Sequence, residues 1–340
     1  MKRNALVAIA AVICLLAASI AVIILVTSDK KDPLDELPKG YEDIDIILNE
    51  GGKWELDGKI TVSLSGRSDI AAVIVHGSGP VDMDCTIGPN KMYRDLAWGL
   101  AKNGIDVLRY DKRTFVYGGQ SADEPKKLTV KEEAIDDAIA AAALLKELGY
   151  KRIFLIGHSE GALLAPAIVA ESKGLFEGFI SLAGSPRTLT EIQVDQVRAS
   201  ANLITSFQIE QYIKAELAKY DQVNSWPESK LLSETIFGIP AYYVKDMISR
   251  DAGKIAATLD VPMLFLQGSA DFQVYAKKDF VMWQDILEGK GGVVFKLYDG
   301  LNHLFMVSEG PDVGTVKEYD TKRHMSQDVI KDIAAFMNEI

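Results

Sequence analysis

The stretch "LIGHSEGALLAP", residues 155–166, decides how the chain is read. An apolar run stops at Gly157, Ser159 follows two residues later, and a second apolar run begins after Gly161. Placed between a strand and a helix, G-x-S-x-G makes a sharp turn in which small residues let the two elements approach closely and the serine hydroxyl stands clear of the backbone. The plainer alternative is an ordinary strand-to-helix connection. A serine hydroxyl is a poor nucleophile without a base, and the base needs a group to orient it. Partners for Ser159 must therefore come from elsewhere in the chain.

Working outward, short β-rich runs alternate with helical patterns from residue 41 onward. Strands are expected at 44–48, 59–64, 71–76, 105–110, 152–156, 178–183, 262–267 and 293–298. The later runs are continuously apolar, as strands buried on both faces are. Residues 94–104 and 129–149 carry apolar residues at helical spacing, and each stretch ends at a glycine. This alternation predicts an α/β fold, an eight-stranded, mostly parallel sheet flanked by helices. The first two strands, joined by a short polar link, are expected to pair as an antiparallel edge hairpin. Residues 187–257 break the alternation with several helical patterns and no good strand. They read as a helical cap over the C-terminal ends of the strands, the edge where an open α/β sheet binds ligands; the alternative is an insertion packed on the side.

In sheets of this kind the nucleophile is followed in chain order by an acid and then a histidine. Asp271, in "LQGSADFQV", and His303, in "GLNHLF", each follow a strand end on the same edge as Ser159. Asp279 and Glu288 lie farther from a strand end, and Asp299 shares a loop with His303. Of the other histidines, His324 reads as structural, His76 as a brace for its loop, and His158 as a side chain turned away from substrate. Donors for a developing oxyanion are expected from the N–H of Glu160 and, in "HGSGPVDMD", the N–H of Ser78, with Gly79 in reserve. That loop is a poor dinucleotide site, because Pro80 intervenes and Asp82 stands where a third glycine would. Phe207, Phe237 and Tyr242 are candidates for an apolar acyl pocket in the cap, or else for glue between cap and core.

The 340 residues carry a formal net charge of −11, which opposes binding to nucleic-acid phosphates. Two cysteines, no CxxC and no HExxH give no zinc pattern. Residues 5–26 hold no charge and are long enough, at about 1.5 Å per residue, to cross a hydrocarbon core of about 30 Å. Residues 1–26 are expected to be a retained transmembrane anchor, with a cleaved signal segment as the alternative. Lys2 and Arg3 favour a cytoplasmic N-terminus and an extracytoplasmic domain, secreted in the alternative case. Residues 27–40, polar with two prolines, read as a tether.

The motifs "HGSGPVDMD", "LRYDKR", "GHSEGALLAP", "LQGSADFQV" and "GLNHLF", in that order over residues 41–340, resemble the α/β-hydrolase superfamily, and within it bacterial serine esterases with HGSGP and GHSEG motifs. Met83 departs from the pattern, standing where relatives often carry an arginine between two aspartates. The resemblance implies Ser159 as nucleophile, Asp271 as acid and His303 as base. It also implies a small-molecule acyl substrate and no metal or organic cofactor. The expected activity is that of a membrane-tethered carboxylesterase working through an acyl-enzyme. A peptidase, or an acyltransferase or thioesterase, on the same triad is the alternative, with Glu160, Glu210 and Glu216 read either as acids for a peptide terminus or as solvated charges. A non-catalytic binding protein on the same scaffold is a further reading.

Overall fold

The computed structural model describes residues 40–66, 68–199 and 206–340. The apolar run 5–26 and nearly all of the tether lie outside them. Among the described residues no helix is long and apolar enough to cross a membrane.

All eight expected strands form, within a few residues of their expected bounds. They are β1 (Tyr41–Leu48), β2 (Leu56–Ser63), β3 (Ile70–Val75), β4 (Asp106–Tyr110), β5 (Arg152–His158), β6 (Gly178–Leu182), β7 (Met263–Gly268) and β8 (Val293–Tyr298). They join one sheet in the order β1-β2-β4-β3-β5-β6-β7-β8. β1 and β2 pair antiparallel from Tyr41↔Ser63 to Leu48↔Leu56, and β2 pairs antiparallel with β4. The other pairings are parallel. Burial follows position in the sheet: β5, β6 and β7 are covered on both faces, while the edge strands β1 and β8 are half exposed. A strand covered on both faces has no polar face to alternate with, hence the continuous apolar runs.

One face of the sheet is covered by α2 (Asp136–Glu147) and α3 (Glu160–Glu171), with Leu145, Leu164, Ile168, Phe179 and Trp283 in the shared core. The other face carries α1 (Met92–Lys102) and the C-terminal helix α7 (Gln327–Glu339), meeting around Leu96, Leu100, Ile330 and Ile333.

The insertion forms α4 (Leu189–Ala199), α5 (Ser206–Tyr220) and α6 (Ala241–Ile248), with a small core of its own that includes Ile213, Val223 and Phe237. It is not wholly helical. Thr235–Ile236 and Ile239–Pro240 make a two-residue-per-strand antiparallel hairpin. Its turn places Phe237 and Gly238 at φ of 48° and 82°. Two consecutive positive φ values are what so tight a hairpin requires, and strands that short leave no period for a sequence pattern to reveal. The buried Glu216 carboxylate accepts the Phe237 N–H at 2.6 Å, holding this turn.

Candidate active site

The backbone around Ser159 departs from ordinary geometry. Ser159 has φ 54° and ψ −115° between β5 and α3, and its N–H donates to the Leu182 carbonyl at 2.9 Å. A Cβ on Gly157 would lie 2.4 Å from the Gly161 carbonyl oxygen, and one on Gly161 2.4 Å from that of Val75. Neither position has room for a side chain, so the close approach of strand, helix and neighbouring strand explains both glycines. A non-glycine residue held at positive φ stores strain, and such strain gathers at functional sites.

Asp271 and His303 meet. His303 Nδ1 lies 2.7 Å from Asp271 Oδ2, and the two side chains are 4% and 0% exposed. The same carboxylate accepts from Gln267 Nε2 at 2.9 Å and from the backbone N–H groups of Gln273 and Val274 at 2.8 and 3.0 Å. These donors hold it in one orientation, so the imidazole is fixed as well. Asp279 is also fully buried, but it binds the Arg187 guanidinium and Ser185 and ties the start of the insertion to the core. Asp299 accepts from Ser269 in an exposed loop. His324 pairs with Asp95 at 2.9 Å, as a structural histidine would.

The 77–80 loop lies against the elbow: a Cβ on Gly77 would sit 3.4 Å from Ser159 Cβ. Ser78 and Gly79 line the same cavity as Ser159 and Glu160. The cavity encloses about 480 Å³, and the insertion supplies much of its wall through Leu189, Ile192, Val197, Phe237, Ile239 and Tyr243. The insertion therefore walls the cavity into which Ser159 opens. Phe237 lies on this wall, but two other expected wall residues do not. Phe207 is 73% exposed, because it sits two positions, about 200° of helix rotation, from Ile209 on the buried face of α5. Tyr242 lines a separate cleft beside Trp54 and Lys245, and its neighbour Tyr243 faces the cavity instead. The insertion acids also differ from expectation: Glu210 is exposed and paired with Arg198, while Glu216 is buried at the hairpin turn.

Two histidines outside the Asp–His pair bind the loops together. His158 Nε2 donates to the His303 carbonyl at 3.0 Å, and its Nδ1 accepts the Tyr93 hydroxyl at 3.1 Å. The Tyr93 oxygen in turn accepts the Gly77 N–H at 3.0 Å. His158 thus links the loop of the candidate base to the loop after β3, a role its sequence position did not announce. His76 Nε2 meets the Tyr110 carbonyl at 2.5 Å and braces its loop. Burial pushes both imidazoles down to about 3, helped at His76 by the Lys112 charge. A histidine neutral when folded but free to protonate when unfolded stabilises above its ordinary value of 6.5, and that stability is lost as pH falls toward 3. Between pH 6.5 and 5, His158 should account for a loss of about 2 kcal/mol. Urea unfolding of the parent and a His158→Gln variant at the two pH values should show the parent losing more stability by that amount. Equal losses would refute the buried neutral state.

A cluster of ionisable groups beneath the elbow was not expected from the sequence. Lys112, 1% exposed, lies 3.4 Å from both Glu133 Oε2 and Glu160 Oε2, and donates to the Gly77 carbonyl at 2.9 Å. The Tyr243 hydroxyl lies 2.6 Å from Glu133 and 3.0 Å from Glu160. Burial works against the Lys112 charge, but Glu133 and Glu160 outweigh it and hold the ammonium above its ordinary range. Burial, together with the Glu133 charge, pushes Glu160 up against the pull of Lys112. The Glu160 side chain is therefore part of the buried support beneath the elbow. On the far side of the loop, the buried Arg109 guanidinium binds Asp84 and Asp43, which gives the "DMD" segment a structural anchor.

An eight-stranded sheet of this order, a strained serine elbow at the end of β5, and an acid–histidine pair after β7 and β8 define an α/β-hydrolase. Comparison with known proteins agrees. The pattern of the Hydrolase_4 family, described as serine aminopeptidase S33, matches residues 87–309, and the chain belongs to this family. Esterase EstD of Thermotoga maritima is 39% identical over 301 residues, covering 88% of this chain and 68% of EstD. Human monoglyceride lipase is 22% identical, covering 84% of this chain and 91% of that protein. Among solved structures, Est1E from Butyrivibrio proteoclasticus with ferulic acid bound superposes with a TM-score of 0.55 at 15% identity, covering 86% of this chain and 98% of that one. The chain is a hydrolase.

Proposed function

We infer that the chain is a serine carboxylesterase cleaving small or medium acyl esters. The observation that carries this reading is the buried Asp271–His303 pair on the sheet edge where the strained Ser159 opens into a mostly apolar cavity. Esterase EstD, the relative with 39% identity, supports the ester as substrate. In this reading Ser159 Oγ attacks the ester carbonyl carbon while His303 takes the hydroxyl proton. The N–H groups of Ser78 and Glu160 stabilise the oxyanion. Collapse of the tetrahedral adduct expels the alcohol, which receives the proton from His303 and leaves an acyl-Ser159. Water, deprotonated by His303, then attacks the acyl carbon, and the acid departs as the Ser159 hydroxyl is restored. The carboxylates that line the cavity with Ser159, Glu133 and Glu160, are already engaged by Lys112 and Tyr243. A peptide amino terminus would have to displace those contacts, which favours the esterase over the peptidase.

The test is a panel of p-nitrophenyl esters of increasing chain length beside acyl thioesters and aminoacyl amides, run on the parent and on Phe237→Ala. The esters should be turned over fastest. Phe237→Ala should move the preferred chain length upward, since one methylene in a fitted pocket is worth about 1–3 kcal/mol. Faster cleavage of the aminoacyl amides would overturn the esterase reading; a large drop in melting temperature with an unchanged profile would make Phe237 only a packing residue.

We also propose that the apolar run 5–26 holds the enzyme in the cell membrane as a single-pass anchor, with the hydrolase domain on the extracytoplasmic side. The length of the uncharged run supports an anchor, and Lys2 and Arg3 support this orientation. The full chain should sediment with membranes and resist carbonate extraction, while a form starting near Lys39 should be soluble and active. Recovery of the protein from the medium with a new N-terminus near residue 22 would show a cleaved signal instead.

A further inference from the structure

The peptide joining Gly77 to Ser78 is held from beneath by a charge. Its carbonyl accepts the Lys112 ammonium at 2.9 Å, and the Gly77 N–H, in the preceding peptide, is held by Tyr93 at 3.0 Å. No peptide bond among the described residues is cis. In a planar trans unit the N–H points opposite to the carbonyl, so pinning the Gly77 oxygen also sets the direction of the Ser78 N–H. A cation on the carbonyl oxygen further polarises the unit and makes that N–H a stronger donor. Lys112 is not on the cavity wall and is 1% exposed. It is seated between Glu133 and Glu160, and Glu160 is the residue whose own N–H is the other oxyanion donor. One buried ammonium is thus tied to both donors, to one through a carbonyl and to the other through a side chain.

We propose that Lys112 is a positioning residue of the oxyanion hole: seated between Glu133 and Glu160, its ammonium orients and polarises the Gly77–Ser78 peptide, so that turnover depends on a buried cation that does not contact the substrate. This rests on the reading of Ser78 and Glu160 as oxyanion donors. It assigns a purpose to three charged groups, each less than 7% exposed, beside a serine elbow. A cluster serving only to hold the fold would affect the number of folded molecules and leave the rate of each one alone. A cluster that aims a donor acts on the transition state, where charge develops on the carbonyl oxygen, and leaves ground-state binding unchanged.

The experiment compares the parent with Glu133→Gln/Glu160→Gln/Lys112→Met, a triple variant that leaves neither a buried carboxylate without its cation nor a buried cation without its carboxylates. Active sites are counted from the p-nitrophenol burst, and kcat is expressed per titrated site. Removing a whole oxyanion donor costs about 10²–10³ in kcat. The triple variant, which keeps the donor but frees it, should lose about 10–100-fold in kcat with KM changed less than about threefold. Affinity for a trifluoromethyl ketone, which forms a tetrahedral adduct on the serine, should fall in parallel. Lys112→Gln with the same two Glu→Gln changes restores a donor without a charge and should lie between the parent and the methionine variant; it carries the test if the methionine variant does not fold. A kcat per site within about threefold of the parent, in whichever of the two folds, overturns the proposal. Ser78→Pro, which deletes the N–H itself, separates the two levels. Parental kcat in Ser78→Pro overturns the oxyanion assignment and the proposal with it. Loss there beside full activity in the Lys112 variants overturns the role of Lys112 alone.

Discussion

Ser159→Ala is expected to lower ester turnover by about 10⁶-fold, or to background. The substitution removes one oxygen atom and retains the Cβ, so the strained turn at φ 54°, the N–H bond to Leu182 and the cavity should all survive. With the scaffold intact, the loss measures the covalent step alone: no hydroxyl means no acyl-enzyme, and the oxyanion donors have no tetrahedral adduct to stabilise. The check is hydrolysis of a p-nitrophenyl ester by a variant whose melting temperature matches the parent. Turnover above about one per cent of the parent's would refute the assignment of the nucleophile.

Asp271→Asn is expected to cost about 10⁴-fold in kcat through the tautomer of its neighbour. The Asp271 carboxylate accepts from donors at both oxygens: Gln273 and Val274 N–H at Oδ1, His303 and Gln267 at Oδ2. An asparagine oriented to keep its oxygen toward the two backbone donors turns its NH₂ toward His303 Nδ1. That nitrogen must then be unprotonated, which places the proton on Nε2, where it cannot accept from Ser159. The opposite amide orientation leaves two backbone N–H groups facing an NH₂ in a dry interior, a cost of about 1–3 kcal/mol for each. Comparing kcat at fixed pH with thermal stability separates these outcomes. An Asp271→Asn enzyme with near-parental kcat would show that another acid orients His303.

Much of this architecture is legible along the chain because it is written in consecutive residues. A strand buried on both faces needs an unbroken apolar run, and β5, β6 and β7 supply such runs. The elbow needs two residues without side chains, five positions from first to last, because both glycines face backbone oxygens at 2.4 Å. β5, β7 and β8 run parallel and end on one edge of the sheet, so Ser159, Asp271 and His303 are readable as loop residues after three particular strands. His303 was also favoured by scarcity, with four histidines in the chain.

What stayed hidden depends on which residues the fold brings together. Lys112, Glu133, Glu160 and Tyr243 are scattered over more than a hundred positions, and charged residues in a sequence ordinarily read as surface. Their burial follows from the convergence of the ends of β4 and β5, the start of the helical stretch before α2, and the cap on one spot, where the charges neutralise one another. The cap wall was hidden for a different reason. Phe207 and Tyr242 are aromatic, as a wall residue should be, but which side of a helix meets the cavity is set by how that helix docks. A step of one residue turns the side chain by about 100°, so the wall receives Tyr243 and not Tyr242. Local sequence determined the strands, the elbow and the places of Ser159, Asp271 and His303 after their strands, because these are constraints between near neighbours. Tertiary structure decided which buried charges lie beneath the elbow and which residues of the insertion face the cavity, because docking angle and distance between remote segments leave no periodic trace in the chain.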